Sequence, residues 1–344
     1  MSEKMMAVVV HGGDEFAYEA VERPVAAQGE IILEIEAAGI CAADRKIYHK
    51  DHPWQLSDPY FPGHEYVGRM VEMDEGAAEL SGLAVGDRAI AEILIPCRKC
   101  WFCQRGLYTH CDRPGVCVGS WAEYMRIPAG AIVHRVPDGL LPEQGVLIEP
   151  LACSIHAVNL ARIGFADVVV VSGLGAIGMG ILQVARLKTP SMLVGLDVDD
   201  GLLKIAVQLG ADRVFNPVQH DVGDELRALT DGRGPDIYIE ASGNVASLRT
   251  GLEVLRKAGR LVVFGVYGQE ATLDFNLVSE FKELEIVGGH VSPNTYPLAI
   301  DYLAEELIDW NVMVTHTFPL AQYREALRIK DQPGITSIKT VLLP

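Results

Sequence analysis

Apolar and polar positions change rhythm part-way along the chain. Up to about residue 150, short apolar or alternating runs are separated by Gly, Pro or Asp, as at 6–11, 31–37, 67–73 and 88–92. Runs of that length between turn residues predict strands. No long amphipathic pattern interrupts them, so this part is expected to be all-β, a small barrel with loops. After Pro150 the rhythm becomes alternating. Residues 151–163 have helical spacing, and 167–172 is a buried-strand run. A turn at 173–178 leads into a helix to about 187. Strands are then expected at 192–197, 213–215, 236–240, 260–265 and 284–288, with helices at 202–209, 222–229 and 245–257. Such alternation predicts βαβ units on a parallel sheet, and so an α/β chain. The tail reads as a helix from Tyr296, a segment at 312–318, a short helix at 321–329 and a strand at 337–343. It is too short for a domain of its own and is expected to return to the first. The domains expected are thus 1–153, 154–292 and 293–344, the last completing the first.

The turn in the second region is Gly173-Leu174-Gly175-Ala176-Ile177-Gly178. Three glycines at this spacing are a weak signal alone, but here they join a strand to a helix at the start of the βαβ series. The first permits the turn, the second lets backbone approach a pyrophosphate, and the third allows helix to pack on strand. The helix N-terminus supplies N–H donors. Asp197, twenty-four residues after Gly173, ends the next strand and can accept from both ribose hydroxyls of NAD while repelling the 2′-phosphate of NADP. Asp199 and Asp200 add to the acidity, and no Arg follows closely. The cofactor site is therefore read as Gly173, Gly175, Ala176, Ile177, Gly178 and Asp197, with Gly265 at the end of a later strand, and the cofactor as NAD.

Composition narrows the class. The 344 residues are 49% hydrophobic and 22% charged, which suits a two-domain globular enzyme. A net charge of −17, with no Lys/Arg run, argues against a nucleic-acid partner. No signal-peptide pattern or membrane-length apolar run appears, so a cytoplasmic, reduced protein is expected. Cys97, Cys100, Cys103 and Cys111 follow C-x2-C-x2-C-x7-C. In a reducing compartment this spacing points to a closed, four-thiolate structural zinc rather than to disulfides.

A second set is dispersed: Cys41 after Gly39-Ile40, His64-Glu65 within Pro62-Gly63-His64-Glu65-Tyr66-Val67-Gly68, and Glu149 within Glu149-Pro150-Leu151-Ala152. Taken singly, each also fits a small core residue, a cap or a satisfied surface group. Together with the four-cysteine loop, Val85-Gly86-Asp87-Arg88 and the nucleotide turn, these segments resemble the zinc-dependent medium-chain alcohol dehydrogenases from about residue 5 to the C-terminus. The resemblance implies a GroES-like β-barrel catalytic domain, split by a Rossmann domain, with two zinc ions per chain. It implies Cys41, His64 and Glu149 as catalytic-zinc ligands, Glu65 as a close second or exchanging ligand, and a cleft between the domains as the reaction site. Glu149, where ethanol-oxidising members have Cys, matches the sorbitol-type polyol branch, as does Asn294-Thr295-Tyr296-Pro297. The segment Cys41-Ala42-Ala43-Asp44-Arg45-Lys46 resembles erythritol/threitol dehydrogenases. A small-molecule polyol substrate and a homotetramer follow from that resemblance.

Two departures stand out. The family's usual Ser or Thr two residues after the ligand Cys is Ala43, and its frequent His five residues after is Lys46. Either water and Glu65 carry the proton, or Lys46, Tyr48 or His49 substitutes. Where the sorbitol branch has a substrate-contacting Arg, this chain has Val291 beside His290, which favours a shorter polyol. Trp54, Tyr60 and Phe61 are candidate pocket walls. The rivals are an amino-alcohol (threonine-type) dehydrogenase, a polyol-phosphate dehydrogenase, and an NAD-binding scaffold without turnover.

Overall fold

The computed structural model describes residues 3–51, 56–332 and 334–344, so Trp54 lies outside the described residues. The chain forms two compact units, 1–149 with 296–344, and 150–295. The first division falls four residues before the expected one (149 against 153), inside the continuous helix Ile148–Ala161, where no change of composition marks it.

In the first unit, Lys4–His11 and Glu15–Glu22 form an antiparallel hairpin turning at Gly12 and Gly13, both at positive φ. Val8, Val9 and Val10 are buried on the first strand, while the second is buried only at Phe16. Strand Ile31–Gly39 is the hub: it pairs antiparallel with Tyr66–Met73, Tyr124–Ile127 and Lys339–Leu343. The last of these also pairs, in parallel, with Val314–Pro319, so the C-terminal segment rejoins this unit as two strands of its seven-stranded sheet.

The unit is not all-β. Helices Ala42–Tyr48, Glu75–Ser81 and Pro142–Val146 span only five to seven residues. An element of two turns or fewer is too short for an apolar period to register over a window of 11 or more residues. The first of these helices follows directly from Cys41, its N-cap.

In the second unit a six-stranded parallel sheet runs in the order Arg213–Phe215, Met192–Leu196, Val168–Ser172, Ile237–Glu240, Arg260–Val263, Glu285–Gly288. Numbered by chain position this is 3-2-1-4-5-6, the doubly wound dinucleotide order with its switch point between strands one and four. Val168–Ser172 is buried throughout, as a strand covered on both faces must be. Asp199, Asp221 and Asn244 cap three of the helices through their side chains. A π-helical turn, Leu277–Phe281, was not expected from the pattern.

Candidate active site and metal centres

Glycine-lined packing builds the dispersed cluster. Strand Ile31–Gly39 ends at Gly39, where a Cβ would crowd the Glu65 side chain and stand 2.7 Å from Val146 Cγ1, so a larger residue would displace Glu65. The Gly39 N–H donates to the Glu65 carbonyl at 2.7 Å, and its carbonyl accepts from the Trp121 indole at 3.0 Å. Gly63 sits at φ +94°, and a Cβ there would meet Ser120 Oγ and the Trp121 ring at 2.4 Å. These contacts hold the segment carrying His64 and Glu65 against the one carrying Cys41. The donor atoms of Cys41, His64 and Glu65 all lie within 4.8 Å of one another.

Two further acids flank this site. Asp44, buried in the first turn after Cys41, accepts from the Cys41 N–H at 2.9 Å. Glu149, buried in the first turn of helix Ile148–Ala161, stands outside the 4.8 Å group, but its charge acts on His64. Burial alone would lower the His64 pKa, yet Cys41, Asp44 and Glu149 hold it well above the ordinary histidine value. Burial in turn raises the Asp44 carboxyl, with His64, the Cys41 N–H and Lys339 opposing. An imidazole among a thiol and several carboxyls is a donor set short of positive charge, and it fits a divalent cation.

Lys339 is the residue that sequence reasoning missed. It is 2% exposed, and its ammonium donates to both Glu65 oxygens, at 2.7 Å to Oε1, and to the Ile40 carbonyl at 3.4 Å. Burial would lower its pKa, but Glu65, Cys41 and Glu149 raise it above the ordinary lysine value. The available signal was a charged residue inside the apolar terminal run Ile338–Leu342, without anything to name its partner 274 positions away.

The proton-relay candidates separate. Ala43 offers no hydroxyl. The Tyr48 ring packs edge-on to Phe16 at 5.3 Å, and His49 pairs with Asp331 at 3.3 Å, so both are engaged elsewhere. Lys46 is half-buried in the last turn of the same helix. Tyr60 is close enough for Asp44 and Cys41, after burial, to push its phenol pKa up, which suits a wall of this site.

The four-cysteine lobe is a separate centre. Its four sulfurs lie within 4.8 Å of one another, with Cys97–Cys103 at 4.0 Å and Cys100–Cys111 at 3.9 Å, about twice a disulfide bond. Backbone N–H groups aim at them: Cys97 to Cys111 Sγ at 3.3 Å, Cys100 to Cys97 at 3.4 Å and Cys103 to Cys100 at 3.5 Å. Such donors, led by those of Lys99 and Cys100, push the Cys97 thiol down to about 6. Desolvation and the neighbouring sulfurs push Cys103 up to about 12, so four thiolates need a cation among them.

In the other unit close contacts require glycine at two positions of the turn. Gly173 is at φ +89°, and a Cβ there would meet the Ser242 backbone at 2.6 Å. A Cβ on Gly178 would fall 1.7 Å from the Gly173 carbonyl, while Gly175 faces open space and N-caps the helix Ala176–Leu187. Ala176 and Ile177 form that helix's first turn. Asp197 accepts from the Leu174 N–H at 2.7 Å and from Asp199 N–H at 2.9 Å, tying the strand end to the glycine turn. Gly265 lies one residue past strand Arg260–Val263 and its following Phe264, with its missing Cβ against Glu240 and Gly243.

Comparison with known proteins agrees with this plan. Residues 27–138 match the alcohol dehydrogenase GroES-like domain, and residues 176–305 match the zinc-binding dehydrogenase domain. An erythritol/L-threitol dehydrogenase of Mycolicibacterium smegmatis is 39% identical, over 99% of this chain and 98% of its own. The chain belongs to the zinc-dependent medium-chain dehydrogenases, in their polyol branch. A sorbitol dehydrogenase of Halalkalibacterium halodurans is 31% identical over 98% of this dehydrogenase and 99% of its own length. A zinc-binding dehydrogenase of Sinorhizobium meliloti, solved with NADP bound, superposes with a TM-score of 0.91 at 25% identity, covering both chains fully. The dehydrogenase thus carries the GroES-like and Rossmann-type domains that the resemblance implies.

Proposed function

We propose that this dehydrogenase oxidises a secondary hydroxyl of a small polyol, of the erythritol/threitol, xylitol or sorbitol kind, to a ketose. The carbinol loses a hydride to NAD⁺ and a proton to solvent, giving NADH. The observation that carries the reading is the convergence of Cys41, His64 and the buried Glu65, with the buried Glu149 close enough for its charge to act on His64. The 39% identity to an erythritol/L-threitol dehydrogenase over nearly the whole chain supports the substrate class.

Cys41, His64 and Glu149 would hold a catalytic zinc, with Glu65 in reserve; bound there, zinc supplies the Lewis acidity that lets a hydroxyl ionise near neutrality. Cys97, Cys100, Cys103 and Cys111 would hold a structural zinc. The chain's own groups set the rest. Asp44 fixes the Cys41 backbone, and Lys339 holds the Glu65 side chain turned toward the last strand. With Ala43 lacking a hydroxyl and Tyr48 and His49 engaged, Lys46 is the residue we assign to carry the proton outward. Asp197, free of any basic neighbour in sequence, favours NAD⁺ over NADP⁺.

A homotetramer in the cytoplasm completes the reading. Among the described residues no disulfide joins any two cysteines, which suits a reducing compartment, and no helix is long and apolar enough to cross a membrane. The test is NAD⁺ reduction, followed by absorbance, against erythritol, threitol, xylitol, sorbitol and threonine, with and without a chelator. Turnover of a polyol that disappears on chelation supports the reading. Turnover of threonine alone moves the protein to the amino-alcohol class, and silence on the whole panel overturns the proposal.

A further inference from the structure

The carboxyl edge of the six-stranded sheet contains a buried acid that the nucleotide motif does not include. Glu240 ends strand Ile237–Glu240, next to the switch point, and is fully buried. Its carboxylate accepts from the Ser242 N–H at 2.9 Å, the Ser242 hydroxyl, the Gly243 N–H at 3.2 Å and the Tyr267 hydroxyl at 2.5 Å. Its backbone carbonyl accepts from the N–H groups of Phe264 and Gly265, both at 2.9 Å. One residue therefore binds the loop after its own strand to the loop after the neighbouring strand.

Three backbone contacts extend this hold. Ser242, fixed by Glu240, lies 2.6 Å from where a Cβ on Gly173 would stand. A Cβ on Gly265 would fall 2.5 Å from Glu240 Oε2 and 2.2 Å from the Gly243 nitrogen. Gly243, at φ +67°, leaves room only for the Val266 carbonyl, 2.5 Å from its own missing Cβ. The loops at 173–175, 241–244 and 264–267 thus meet around one carboxylate. A dinucleotide lies across the carboxyl ends of such a sheet, one mononucleotide on each side of the switch point. Asp197 belongs to the strand-two side, where it would meet a ribose hydroxyl pair; the strand-four and strand-five loops belong to the other side.

We propose that Glu240 is the positioning residue for the nicotinamide half of the cofactor, setting the spacing of the two loops that receive it. The proposal rests on the reading of this protein as an NAD enzyme. It does not touch the metal centres. A buried side chain that accepts from four donors cannot be replaced without leaving those donors to reorganise. Tyr267, whose phenol is kept protonated by burial and by Glu240, is the most distant of the four in sequence and ties in the far loop.

The test compares the full-length wild type with Glu240→Gln and Tyr267→Phe, measuring NADH affinity by fluorescence and AMP affinity by calorimetry. AMP occupies the adenosine half only. For Glu240→Gln the dissociation constant for NADH should rise about tenfold or more while that for AMP stays within about twofold. Tyr267→Phe, which removes one donor and keeps the carboxylate, should weaken NADH about two- to fivefold with AMP again unchanged, and decides the matter if Glu240→Gln does not fold. Equal weakening of both ligands would mean general damage to the sheet edge and overturn the proposal, as would NADH affinity equal to wild type. Wild-type protein that binds no NADH would instead overturn the cofactor reading, and this inference with it.

Discussion

The two metal centres are assembled in opposite ways. The four-cysteine lobe draws all its donors from residues 97 to 111, and its loop has little to do but wrap, with backbone N–H groups turned onto the sulfurs. The other group takes Cys41 from a helix cap and His64 and Glu65 from the run into a strand, with Glu149, whose charge acts on His64, in the first turn of a helix. Its charge balance comes from Lys339 on the last strand of the sheet. A contiguous loop can close on an ion without help from the rest of the fold. A dispersed set exists only once the sheet has formed, and its buried groups depend on one another for charge. The first arrangement suits a fixed structural ion, the second a site that must keep a position open for substrate.

The sharpest break between the two is Cys41→Ser. It should lower turnover about 10³- to 10⁴-fold, the equivalent of several kcal/mol of lost transition-state stabilisation, with circular dichroism unchanged and one zinc per chain retained by elemental analysis. Cys100→Ser should do the reverse in kind. It should release the lobe's zinc and open residues 97–111 to protease, since binding at such a loop is also its folding energy. Loss of stability from the first variant and none from the second would break the comparison.

Lys339→Met comes next. It strands the Glu65 carboxylate in a dry site, and removing one partner of a buried pair costs about 3–5 kcal/mol, readable in urea unfolding. A loss below about 1 kcal/mol would mean that the pair is no more than a surface-type bridge. The smallest effect expected on this centre is that of Lys46→Ala. It should slow turnover about 100-fold, the lower range for general acid–base catalysis, and change the pH profile while leaving zinc content at two. A profile identical to wild type would leave Glu65 and water as the proton route.

The same contrast explains what could be read in the chain. Cys97 to Cys111 were legible because spacing alone implies a shared ion, and strands such as Val168–Ser172 because their burial is written as unbroken apolar runs. Asp197 and the three glycines were legible because the turn they build is local. Helix Ala42–Tyr48 was hidden by its brevity, though it carries Cys41 at its cap. Lys339 and Glu240 were hidden for a different reason. Each is an ordinary charged residue whose meaning lies in partners brought by strand pairing, at 274 positions for Lys339 and at 27 for the Glu240–Tyr267 bond. Local pattern carries elements and contiguous motifs, and tertiary pairing decides which buried charges balance.

The central claim is that turnover depends on the dispersed centre and not on the cysteine lobe. The most direct measurement is stepwise chelation of the wild type, with zinc content and polyol turnover read on the same samples. Because ligands must be deprotonated, lowering the pH should speed the release. The account predicts two zinc ions per chain at the start, with turnover falling in proportion to the first one released while the lobe stays closed to protease. Turnover that survives loss of the first ion and disappears only when the lobe opens would contradict it.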